Sequence, residues 1–99
     1  MIKHIILWKL REDIPADERP SCCAEAKKRL ESLNGKIDGL IKLEVKTEGL
    51  SSSSADMMLD SEFETEDALK GYQTNPLHVE AAGYVRSIVS QRLCLDFEA

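Results

Sequence analysis

The stretch GYQTNPLHVEAAGYV, residues 71–85, decides how the second half of the chain folds. Tyr72 and His78 stand either side of Asn75 and Pro76. On an unbroken helix of about 3.6 residues per turn, their side chains would point roughly 240° apart and could share no task. Pro76 forbids that helix. It donates no hydrogen bond to the preceding turn, clashes with the carbonyl four residues back and biases Asn75 out of the helical region. The stretch therefore predicts one helix stopping near Thr74 and a second starting at Pro76, capped by Asn75. A phenol and an imidazole are then aimed at one point. A neutral imidazole accepts a proton at neutral pH and a phenol stays protonated, so Tyr72 and His78 form a candidate acid/base pair.

Working outward, the first strand places the other histidine. Ile2, His4, Ile6, Trp8 and Leu10 share one face of an extended segment over residues 2–10, because strand side chains alternate with period two. His4 thus lies on an apolar face, where its ring needs hydrogen-bond partners. Ile5 and Leu7 make the opposite face apolar as well, with Lys3 and Lys9 at the rims. A strand apolar on both sides in so short a chain implies helices over one face and another subunit over the other.

Residues 17–34 read as a helix, with Cys23, Ala26, Leu30 and Leu33 at helical spacing, Asp17 and Glu18 at its start, Pro20 in its first turn and Gly35 after its stop. Residues 40–48 alternate, placing Ile41, Leu43 and Val45 inward and Lys42, Glu44, Lys46 and Glu48 outward. GLSSSSA, residues 49–55, reads as a hairpin loop. A half-buried strand follows over 56–63, with Met57, Leu59 and Phe63 on one face. Thr65 caps the next helix, which carries Leu69 and Tyr72 inward. The helix after Asn75 runs to about Arg86, and in a last strand over 88–97 Leu93, Leu95 and Phe97 oppose Arg92, Cys94 and Asp96. The order βαββαβ is the ferredoxin-like α+β pattern on a four-stranded antiparallel sheet, in one domain over residues 1–99.

The bulk numbers exclude several roles. Thirteen Lys and Arg against 18 Asp and Glu give a net charge of −5 with no long basic run, which argues against nucleic acid. No apolar run approaches the roughly 20 residues that span a bilayer, and the start lacks a signal-peptide pattern, so no membrane partner and a cytoplasmic location are expected. Cys22, Cys23 and Cys94 are odd in number and read as reduced thiols.

The opening IKHIILWKL, the block YQTNPLHVEAAGYVRSIV with Tyr72, Pro76 and His78, and the closing LCLDF with Asp96 resemble the stress-responsive α/β-barrel (Dabb) family of the dimeric α+β barrel superfamily. Asn75 departs from the histidine expected before the proline, although asparagine also caps a helix. The resemblance implies a homodimer whose two sheets pack face to face as a barrel, with a cavity in each subunit between sheet and helices. A plant polyketide cyclase of that family uses the matching tyrosine and histidine as its catalytic pair. Carried over, His78 is the base, Tyr72 the oxyanion partner and His4 a supporting group. Met57 stands where that cyclase has a further histidine, making this cavity less polar.

Each residue also has a purely structural reading. Tyr72 would pack under its helix with its hydroxyl tied to backbone, His78 would steady the next helix, and His4 would be a satisfied core histidine. A functional His4 would instead have its ring oriented by a carboxylate, which Asp96 supplies if the first and last strands are antiparallel neighbours, the alternative for Asp96 being a place on the surface rim. Trp8, Met57 and Leu59 line a ligand pocket or simply fill the core. No metal set is legible, since two scattered histidines and no close His/Cys/Asp cluster fall short of a ligand set, and no glycine-rich nucleotide loop or activated nucleophile calls for a cofactor. The expectation is a homodimer binding a small apolar or aromatic carbonyl compound, as a cofactor-independent cyclase or isomerase. The alternatives are a non-enzymatic stress-related binding protein and a cofactor-free oxygenase.

Overall fold

The computed structural model describes residues 1–99. Strand β1 (Ile2–Leu10) is followed by helix α1 (Arg19–Glu31), strands β2 (Leu40–Lys46) and β3 (Met57–Phe63), helices α2 (Glu66–Thr74) and α3 (Pro76–Ile88), and strand β4 (Val89–Glu98). The strands form one antiparallel sheet in the order β2-β3-β1-β4. Alternation puts Ile2, His4, Ile6, Trp8 and Leu10 of β1 and Met57, Leu59, Ser61 and Phe63 of β3 in the interior. Against that face pack Ala26 and Leu30 of α1, Leu69 and Tyr72 of α2, and Ala81 and Val85 of α3. The ferredoxin-like architecture follows, with β2 and β3 joined as the expected hairpin.

Local chemistry sets the boundaries. α1 begins at Arg19 rather than residue 17, so Asp17 and Glu18 precede its first turn, and Pro20 occupies the position where a missing N–H costs nothing. Thr65 Oγ1 accepts from the Ala68 N–H at 3.1 Å, capping α2 as the sequence predicts. α3 continues past Arg86 to Ile88 and runs directly into β4.

Ile41 corrects the reading of β2. The ladder with β3 shifts register between Leu40 and Lys42, leaving Ile41 as an extra residue opposite Phe63. Such a bulge turns the following side chains by one face. Leu43 and Val45 are buried, but Ile41 is exposed. Just upstream, Gly39 adopts a φ of 80°, and a Cβ there would lie 2.4 Å from the Ala68 Cβ. Only glycine lets this turn close against α2.

The free edge of β2 is covered by side chains of the α1 segment. The Val45 N–H donates to Glu31 Oε2 at 2.9 Å, and Lys27 Nζ donates to the Val45 carbonyl at 2.8 Å. Asn34 pairs with both backbone groups of Leu43 at 2.9 and 2.8 Å. An edge occupied in this way cannot template another strand.

The sheet's other face carries no helix. Leu7 and Phe97 are exposed there, and Leu93 and Leu95 are each 65% exposed in the single chain. The register puts Leu7 opposite Leu93 and Ile5 opposite Leu95, so these side chains form one continuous apolar patch.

Candidate functional site

Asn75 adopts an extended conformation (φ −65°, ψ 129°), so the chain turns between α2 and α3 instead of continuing. Its Oδ1 accepts from the Leu77 N–H at 2.9 Å, capping α3, and its own N–H donates to the Tyr72 carbonyl at 3.2 Å. The turn brings the rings of Tyr72 and His78 to a centroid separation of 4.0 Å at an interplanar angle of 36°. The proline break therefore joins the two residues that a straight helix would separate.

Both side chains line a cavity of about 220 Å³ between the sheet and the helices. His4, Ile6 and Trp8 of β1 and Leu59 of β3 form its floor, with Leu30, Gln73, Ala82, Val85, Arg86 and Arg92 around it. Three candidate ligand contacts thus separate: Trp8 and Leu59 lie on the lining, whereas Met57 is buried but outside it. Met57 pairs with Trp8 and is packed into the core, while Leu59 pairs with Ile6 in the middle of the sheet.

The Tyr72 hydroxyl and His78 Nδ1 are buried and make no hydrogen bond of good geometry to another group of the protein. The expectation that the hydroxyl is tied to backbone is overturned, and each such group forfeits about 1–3 kcal/mol. Burial pushes the Tyr72 phenol well above its ordinary range, a shift opposed by the Arg92 charge, so the phenol keeps its proton. Burial holds the His78 imidazole below its usual value, against the nearby Gln73 backbone, and the charges of His4, Arg86 and Arg92 add to the depression. The site thus offers a neutral imidazole and a protonated phenol at pH 7.

His4 is 2% exposed and its ring lies 6.2 Å from that of Tyr72. β1 and β4 pair so that His4 faces Asp96, and His4 Nδ1 bonds the Asp96 carboxylate. An ionised carboxylate only accepts, so Nδ1 carries the proton. Cys94 Sγ lies 3.4 Å from the same carboxylate and 3.7 Å from His4 Nδ1. The reading of the sequence as lacking any His/Cys/Asp cluster is corrected here, since strand pairing gathers three ligand-capable atoms within 4.8 Å of one another. They bond each other, and burial together with the hydrogen bond to Asp96 pushes the Cys94 thiol up, away from the thiolate a metal takes.

Sequence patterning missed Arg86 and Arg92. Arg92 was legible only as the polar side of an edge strand. Its pairing with Trp8 sets it on the helix-facing side, beside the cavity.

A ferredoxin-like sheet with a helix-covered, largely apolar cavity carrying a phenol and an imidazole defines a small α+β pocket domain. Residues 2–99 match the Stress Responsive A/B Barrel Domain (Dabb), and the chain belongs to that family. It is 35% identical to a dimeric protein of unknown function and ferredoxin-like fold from Bacteroides fragilis, over 99% of this chain and 95% of that one, with a TM-score of 0.92. A Dabb family protein with a ferredoxin-like fold from Mesorhizobium loti is 21% identical over 99% and 95% of the two chains, TM-score 0.73. The hydroxynitrile lyase of Passiflora edulis shares the fold at 11% identity over 97% and 90%, TM-score 0.70. No curated protein matches the chain significantly. No helix is long and apolar enough to cross a membrane.

Proposed function

We infer that the protein is a homodimeric barrel whose cavity binds a small carbonyl compound with an apolar or aromatic body and moves a proton beside its carbonyl, without a cofactor. The observation that carries this reading is the pair of buried, unpartnered polar groups, the Tyr72 hydroxyl and His78 Nδ1, in one cavity. Buried polar groups without partners are rare, and a ligand that supplies the partners accounts for both. In the reaction, neutral His78 takes a proton from the carbon next to the carbonyl, and the electron pair of that bond moves into an enolate. The enolate oxygen accepts a hydrogen bond from the Tyr72 hydroxyl. His4, oriented by Asp96, supports the cavity wall, and Trp8 and Leu59 contact the apolar body. Met57 is not on the cavity lining. A lyase on the same fold is in keeping with such chemistry but does not assign it.

The test is exchange of the methylene protons of phenylacetone in deuterated water, followed by NMR. The native protein accelerates exchange, and His78→Ala lowers the acceleration about 10²–10⁴-fold with an unchanged circular dichroism spectrum. Equal rates for the two proteins would mean that the imidazole is not the base. Binding without any acceleration would favour the non-enzymatic alternative.

The second subunit covers the apolar patch of Leu7, Leu93, Leu95 and Phe97, each fully buried leucine contributing about 1.5–3 kcal/mol. The B. fragilis relative is a dimer. Replacing Leu93 and Leu95 together by Asp is expected to give a monomer in sedimentation velocity. A dimer that persists would place the interface elsewhere.

A further inference from the structure

The charged groups of the cavity point to something the apolar reading omits. The chain carries a net charge of −5, yet no acidic residue is among the twelve that line the cavity, and two arginines are. Of its five arginines, Arg11, Arg19 and Arg29 each hold an acidic side chain. Arg86 and Arg92 make no ion pair, and these two are the ones on the cavity.

Each has a local reason to be basic, since Arg86 sits in the last turn of α3 and Arg92 on an edge strand. Neither reason explains why a helix and a strand deliver their cations to the same hollow. Their field reaches the site, because Arg86 and Arg92 both disfavour a charged His78 and Arg92 favours an ionised Tyr72.

The geometry points to an anionic ligand: a small oxo acid whose carboxylate is held by Arg86 and Arg92 and whose carbonyl meets Tyr72 and His78. This rests on the carbonyl-compound reading above and adds the charge. A guanidinium recognises a planar carboxylate through two parallel N–H donors, which gives orientation as well as affinity. Held at the arginines, the ligand lays its body over Ile6, Trp8 and Leu59 with its carbonyl towards the paired rings. The volume agrees, since a cavity of about 150 Å³ holds a benzene ring and this one is somewhat larger. The arginine charges also stabilise the enolate, so they assist proton abstraction after binding the substrate.

Isothermal titration calorimetry with phenylpyruvate and phenylacetone, at one ionic strength, separates the two ideas. The compounds share a benzyl ketone and differ by a carboxylate in place of a methyl. Phenylpyruvate should bind about 10- to 100-fold more tightly. Arg86→Gln combined with Arg92→Gln should abolish that preference, lowering the affinity for phenylpyruvate far more than that for phenylacetone. Both side chains are exposed and make no ion pair, so the variant is expected to fold, which its melting curve checks. Equal affinity of the native protein for the two compounds overturns the anionic ligand and leaves the carbonyl reading standing. A preference that survives in the double variant overturns the assignment of the arginines. Binding of neither compound overturns both.

Discussion

His4, on the strand side of the cavity, and His78, on its helix side, are the two histidines of the chain, and they differ in what holds them. His4 is almost wholly buried and its Nδ1 is engaged by Asp96 from the neighbouring strand. His78 is less buried, stands in the first turn of α3 and has an Nδ1 with no partner. The helix N-terminus beside it carries positive potential, which, like the two arginines, disfavours a proton on its ring. A satisfied buried imidazole serves the architecture. An unsatisfied one, tilted against an equally unsatisfied phenol, leaves two polar groups open on the cavity.

Removing the partner on the strand side should have the largest effect on stability. Asp96→Ala leaves His4 Nδ1 buried without an acceptor and is expected to cost about 1–3 kcal/mol, measured by urea unfolding. A loss near zero would mean that water replaces the carboxylate and that the two histidines are alike. On the helix side the sign reverses. Tyr72→Phe removes a hydroxyl that bonds nothing in the free protein, so stability should hold or rise by about 1 kcal/mol while proton exchange in phenylacetone falls. Joint loss of stability and activity would show that the hydroxyl has a structural partner after all.

The smallest effect is the pH dependence contributed by His78. Its folded-state pKa is depressed below that of the unfolded chain, so below the ordinary histidine value the unfolded state binds more protons than the folded one. The stabilisation is therefore fully present above that value and is lost as pH falls from it through the lower folded-state pKa. His78→Gln should flatten the fall in melting temperature on going from neutral to mildly acidic pH. An unchanged slope would place the titration on another group.

Much of the fold was legible because the patterns that encode it are local. The alternation in β1 assigned Ile2, His4, Ile6, Trp8 and Leu10 to one face, and all five are buried. Thr65 and Asn75 both cap their helices. Ile41 was misplaced because a bulge adds one residue to the ladder, and nothing in an alternating run marks where the count slips. Gly39 passed unnoticed because its constraint comes from Ala68, on a helix far along the chain. The residues most open to chemistry, Tyr72 and His78, were visible through the proline between them, whereas the arginines that join them on the cavity belong to no motif.

The sequence by itself determined the elements and the break that pairs Tyr72 with His78, because period-two alternation, capping residues and the missing proline N–H act over a few residues at a time. Only the tertiary structure decided that His4 meets Asp96 and Cys94, that Met57 stands back from the cavity, and that Arg86 and Arg92 share it. Those contacts depend on strand order and register, which bring residues some ninety positions apart into one hydrogen-bonded neighbourhood.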